Sequence, residues 1–177
     1  MTGGEQNVVA LFGSGEPAEG EADYELARAV GRKLAELGYA VANGGYGGTM
    51  EASAAGAKAA GGRTIGVTCS IWKSAANRFI DRSVQTDGLP QRVQRLIELG
   101  TAGCVVLPGA TGTLVELATV WEMTCKRLRP RRPIVCVGRH WRPLVEMMAS
   151  ARPGCERFVA MIERPDELEQ YFPARVQ

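Results

Sequence analysis

Short runs that are apolar at every position recur along this chain, and each gives way to a stretch with helical periodicity. Val-Val-Ala-Leu-Phe fills positions 8–12, Cys-Val-Val-Leu fills 104–107 and Ile-Val-Cys-Val fills 134–137. A strand with one wet face alternates apolar and polar residues, whereas an uninterrupted apolar strand is covered on both faces. The pattern therefore predicts an α/β fold with a mostly parallel central sheet and helices on both faces. Strands are expected at 7–12, 39–42, 64–68, 83–86, 103–107, 133–137 and 158–162. Helices are expected at 22–37, 49–60, 89–99, 114–126, 141–150 and 165–171. A chain of 177 residues, 45% hydrophobic, is expected to make a single domain over 1–177 with one substantial core.

Bulk properties remove several classes of function. A net charge of +2 gives no reason to expect a nucleic-acid or membrane partner. No apolar run reaches membrane-spanning length, and the polar stretch Met1 to Gln6 is not expected to be a signal peptide. Cys69, Cys104, Cys125, Cys136 and Cys155 are odd in number and widely spaced. They are expected to be reduced thiols of a cytoplasmic protein, not a disulfide frame or a zinc site. His140 is the only histidine, which excludes a His-rich metal centre.

Three Gly-rich turns fall at expected strand ends: Gly13-Ser14-Gly15, Asn43 to Thr49, and Gly109 to Thr113. In parallel sheets ligands collect at the carboxyl ends of the strands, so the three turns converge on one edge. The last turn opens a helix, whose first N–H groups lack partners and whose dipole adds positive potential, which suits a phosphate. Candidate phosphate- and nucleotide-binding positions are thus Gly13, Ser14, Gly44, Gly45, Gly47, Gly109, Ala110, Thr111, Gly112 and Thr113. Glu116 follows in the same helix. A carboxylate beside a phosphate is repelled unless it faces another part of the ligand, as in a sugar-phosphate or nucleotide pocket. The plain alternative is an ordinary strand-turn-helix junction with a solvent-facing Glu.

Other nucleotide chemistries fit poorly. No Gly-Lys-Ser/Thr exists for a P-loop. Gly13 to Ala18 formally matches a dinucleotide fingerprint, yet the second strand ends in Asn43-Gly44 where an acid should hold the ribose. Nothing marks Lys33, Lys58, Lys73 or Lys126 as a pyridoxal-phosphate aldimine lysine, and Ser14 and Cys69 have no base nearby in sequence. Glu51 reads as an acid compensating the dipole of its helix. Met50, Trp121 and Met123 read as core or subunit contacts. The run from Lys126 to Arg132 reads as a helix end and a solvated loop, without the aromatic interleaving of a nucleic-acid surface.

Pro108-Gly109-Ala110-Thr111-Gly112-Thr113-Leu114-Val115-Glu116 resembles the P-G-G-x-G-T-x-x-E hallmark of the LOG (Lonely Guy) family, with Ala110 in place of the second Gly. Asn43 to Ala52, and Gly61 to Val67 after it, are similar to further segments of that family, so the resemblance spans roughly 8–133. It implies a Rossmann-like three-layer sandwich and a homodimer with the hallmark helix near the contact. It also implies a phosphoribohydrolase that splits a nucleoside 5′-monophosphate into free base and ribose 5-phosphate, without cofactor or metal. Some relatives instead carry molybdenum cofactor, so a non-catalytic carrier is the alternative. The resemblance assigns Glu116 to the ribose and a catalytic Arg to the preceding helix. Arg92 fits with a one-residue insertion, and Arg95, three residues on, is expected to assist it. The plain alternative for both arginines is a solvated helix face with Glu98. Ala110 keeps its N–H but requires φ below zero.

Overall fold

The computed structural model describes residues 7–175, so the polar stretch Met1 to Gln6 lies outside the described residues. Seven strands form one sheet: β1 (Val8–Phe12), β2 (Ala40–Asn43), β3 (Thr64–Cys69), β4 (Arg82–Thr86), β5 (Gly103–Val106), β6 (Ile134–Val137) and β7 (Ala160–Ile162). Their order is β4-β3-β2-β1-β5-β6-β7 and every pairing is parallel, so the mostly parallel sheet expected is parallel throughout. Five α-helices connect them: α1 (Ala22–Glu36), α2 (Thr49–Ala59), α3 (Leu89–Leu99), α4 (Thr111–Cys125) and α5 (Arg142–Ala151). The last expected helix is a 3-10 segment, Pro165–Gln170, and a 3-10 turn at Glu156–Phe158 shortens the last strand at its start.

Alternate residues of the buried strands serve opposite faces. Val8, Ala10 and Phe12 pack with Leu96 of α3, Leu117 of α4 and Val145 of α5. Val9 and Leu11 pack with Val30 of α1, Ala57 of α2 and Leu168 near the C-terminal end. The result is the expected three-layer sandwich. The chain winds outward from β1 to β4, and α3 carries it back to β5 on the other side of β1. That reversal puts the switch point between β1 and β5, where the loops at their carboxyl ends separate.

Glycine decides how α1 and α2 meet. A Cβ on Gly31 would strike the Ser53 carbonyl, and one on Gly56 would strike the Arg28 carbonyl. The helices therefore touch backbone to backbone. Ala is the better helix former by about 1 kcal/mol, yet Gly31→Ala is expected to destabilise the chain by about 2–3 kcal/mol, because overpacking outweighs propensity. Chemical denaturation of the variant checks this.

Helix ends follow two routes. Gly38, at φ +86, closes α1 with Gly38 N–H to the Ala35 carbonyl and Tyr39 N–H to the Leu34 carbonyl. Arg127 does the same for α4 at φ +58, a conformation that glycine usually supplies.

Candidate active site

The site is assembled at the carboxyl edge of the sheet, around a cavity of about 260 Å³. Gly13 and Ser14 from the β1 loop, Gly44 from the β2 loop, Ala110 to Thr113 from the β5 turn, and Arg92 and Glu116 from two helices all line it.

The β1 and β2 loops are tied to each other. The N–H and the hydroxyl of Thr49 both donate to the Ser14 carbonyl, each at 2.9 Å. Gly48 lies at φ +65, and a Cβ there would hit the backbone of Ser14 and Gly15. Buried Asn43 organises the β2 loop. Its amide donates to the Met50 carbonyl at 2.8 Å and to Ser53 Oγ at 3.1 Å, and its carbonyl oxygen accepts from Gly45 N–H at 2.8 Å. Asn43 is thus the clamp of a Gly-rich turn, in the place where a dinucleotide fold puts a ribose-binding acid.

The hallmark turn enters α4 three residues earlier than the periodicity suggests, so Thr111, Gly112 and Thr113 form the first helical turn. Gly109 approaches the Thr113 side chain so closely that a Cβ would overlap it. Ala110 is the N-cap at φ −102, ψ −151, extended backbone that alanine adopts without strain, and no side chain caps the helix. The N–H groups of the first turn are therefore oriented for an anion. Two further contacts hold the turn: Trp141 Nε1 donates to the Leu107 carbonyl at 2.9 Å, and His140 Nε2 lies 2.8 Å from the Gly109 carbonyl.

Arg92 is buried at 7% exposure, and its position is fixed by several partners. Nε donates to the Val67 carbonyl at 2.8 Å, and one terminal nitrogen lies 3.8 Å from Met50 Sδ. The guanidinium carbon stands 5.5 Å from the Tyr46 ring centroid and 5.3 Å from that of Trp72. A Cβ on Gly44 would collide with the guanidinium, so this glycine makes the room Arg92 occupies. The other terminal nitrogen lies 3.8 Å from Glu116 Oε1, too long for a direct hydrogen bond. Two opposite charges thus face one cavity without closing on each other.

Glu116 is also 7% exposed. Burial pushes its carboxyl from an ordinary 4.5 up to about 7, while the Arg92 guanidinium pulls the other way. Between about pH 4.5 and 7 the folded chain holds a proton that the unfolded chain has released, so stability declines as pH rises through that window. Relative to Glu116→Gln, the wild type is expected to lose on the order of 3 kcal/mol across it. Denaturation of both proteins from pH 4.5 to 8 checks the difference.

Not every expected residue reaches the cavity. Arg95 is half-buried at the helix surface and pairs with Glu98 at 3.4 Å, because three residues along a helix turn a side chain by about 60°. It takes the plain reading given to both arginines, while Arg92 does not. Gly45, at φ +78, packs against Gly66 and Thr68, and Gly47 lies near the Gly15 carbonyl. Both shape the loop instead of lining the cavity. Met50, expected in the core or a subunit contact, is buried but lines the cavity against Arg92. Trp121 is a core residue, its Nε1 donating to the Cys155 carbonyl at 2.9 Å. Tyr46 and Trp72, which stand beside the Arg92 guanidinium, carry no functional signal in the sequence. Tyr46 sits inside a Gly-rich turn, an unusual place for a large ring, and Trp72 is 42% exposed in the loop after β3.

Comparison with known proteins agrees with this architecture. The model of the SLOG cluster4 family matches residues 6–159. An uncharacterized protein of Archaeoglobus fulgidus is 33% identical over 131 residues, covering 73% of this chain and 83% of that one. The cytokinin riboside 5′-monophosphate phosphoribohydrolase of Mycobacterium tuberculosis is 34% identical over 117 residues, 64% of this chain and 62% of the enzyme's length. Among solved structures, the molybdenum cofactor binding protein of Rippkaea orientalis superposes with a TM-score of 0.76 at 23% identity, over 94% of each chain. With a family match across most of its length and the LOG-like hallmark at the switch point, the chain belongs to the SLOG cluster4 family.

Proposed function

We propose that the chain is a nucleoside 5′-monophosphate phosphoribohydrolase. The observation that carries this reading is the buried Arg92–Glu116 pair facing one cavity with the uncapped start of α4. The 5′-phosphate rests on the N–H groups of Thr111, Gly112 and Thr113. The ribose then lies beside Glu116 and the base towards Arg92. As the C1′–N bond breaks, its electron pair leaves with the base and positive charge grows on the ribose. Arg92 stabilises the departing base, and the Glu116 carboxylate stabilises the ribose cation and takes a proton from the water that adds to C1′; that proton passes on to the departing base, which regenerates the carboxylate. The Mycobacterium tuberculosis relative's name supports the reaction class. Incubation with a panel of nucleoside monophosphates and the matching unphosphorylated nucleosides tests it. Free base and ribose 5-phosphate in equal amounts are expected, from the phosphorylated compounds only.

The second reading is a carrier of molybdenum cofactor or another phosphorylated ligand, favoured by the fold shared with the Rippkaea orientalis protein. A carrier has no use for a buried acid poised near neutral pH beside a cation, so the pair argues for turnover.

The five free thiols support a reducing, cytoplasmic setting, and among the described residues no helix is long and apolar enough to cross a membrane. A homodimer across α3 and α4 is part of the same proposal. Leu89 on α3 and Val115 on α4 are exposed and line one apolar cavity of about 500 Å³. Sedimentation analysis of the purified chain reads the assembly directly.

A further inference from the structure

The opposite edge of the sheet carries a second concave feature, unconnected with Glu116. The amino ends of β6 and β7 open a cavity of about 540 Å³ whose walls include Ile134, Phe158 and Tyr171 and whose charged residues are Arg131, Arg132 and Arg157. Arg131 and Arg157 both lie over the Phe158 ring, at 5.3 and 4.9 Å from its centroid. Arg132 donates to the Gly100 carbonyl at 3.0 Å, and Arg129 reaches the same oxygen at 3.5 Å. The Arg129 side chain is partly buried, with the Cys104 thiol beside it.

Arg131, Arg132 and Arg157 therefore line the cleft, Arg129 stands behind them beside Arg132 at the Gly100 carbonyl, and no carboxylate lines it. Among the described residues none of the four lies within ion-pair distance of an acid. Glu156, next in sequence to Arg157, accepts the Gly154 N–H at 2.8 Å, and Glu122 is engaged by Arg152 and Lys126. Burial lowers the Arg129 pKa, the Cys104 thiol opposes that shift, and the Arg132 charge presses in the same direction as burial. Two cations sharing one carbonyl repel each other, and an anion from solution relieves that repulsion. The apolar walls add a surface for a flat hydrophobic body, and the volume suits a small ligand.

We propose that this cleft is a second ligand site, for a small aromatic phosphomonoester. Its phosphate meets Arg131, Arg132 and Arg157, and its ring packs on Phe158 and Tyr171. Calorimetric titration with phenyl phosphate tests it, comparing the wild type with Arg131→Gln/Arg157→Gln. Both arginines are exposed, so the substitutions leave the core intact. The wild type is expected to bind one more equivalent of phenyl phosphate than the variant, or to bind the shared equivalent about tenfold more tightly at the cleft. Equal stoichiometry and affinity in the two proteins would overturn the proposal.

Discussion

Glu116→Gln is expected to lower ribose 5-phosphate release by about 10³-fold while leaving the fold and ligand binding in place. Gln keeps the shape of the side chain but cannot carry charge or accept the proton of the attacking water. Solvent has little access to this side chain: Glu116 is buried, and burial pushes its carboxyl up to about 7. The ionised form does the work, so the rate should climb as pH rises through about 7 and level off above it. That ascending limb should disappear in Glu116→Gln, and a pH–rate profile of both proteins reads it. The same raised pKa that costs stability above pH 5 is what tunes the acid to neutral chemistry, a trade often found at functional sites.

Arg92→Lys is expected to cost about 10²-fold in kcat with the fold intact. Lysine retains the charge, yet it cannot donate to the Val67 carbonyl, rest against the Tyr46 and Trp72 rings and face Glu116 at once. Gly44→Ala should mimic this loss, since its methyl group takes the volume of the guanidinium. Arg95→Ala, on the same helix, should stay within about twofold of the wild type, as expected for an exposed i,i+3 ion pair. Steady-state kinetics on the three variants separates a role for Arg92 from a general effect of positive charge on α3.

Most of the fold could be read from the chain because its buried strands are apolar at every position, leaving little competition from other assignments. The positions where reading failed are those where long-range packing overrides local preference. Thr111, Gly112 and Thr113 are poor helix formers, yet they make the first turn of α4 because Gly109 packs on Thr113 and Trp141 holds the Leu107 carbonyl. Pro165–Gln170 has helical spacing but settles as a 3-10 segment. The Glu116 and Arg92 partnership was legible only through the hallmark and the order of elements. The choice between Arg92 and Arg95 was not, because it depends on about 60° of helix rotation relative to β3. Tyr46 and Trp72 meet edge to face at 5.8 Å across 26 positions of sequence, and no local pattern announces such a pair. The concern raised by Ala110 also dissolves in three dimensions, because the backbone there is extended and glycine is not required.

The measurement that bears most directly on the central claim is binding and turnover of nucleoside 5′-monophosphates followed on the same preparations of wild type and Glu116→Gln. Both proteins should bind with similar affinity, and only the wild type should release ribose 5-phosphate at an appreciable rate. Tight binding by the wild type with no release from any nucleoside monophosphate, or release that survives Glu116→Gln, would contradict it.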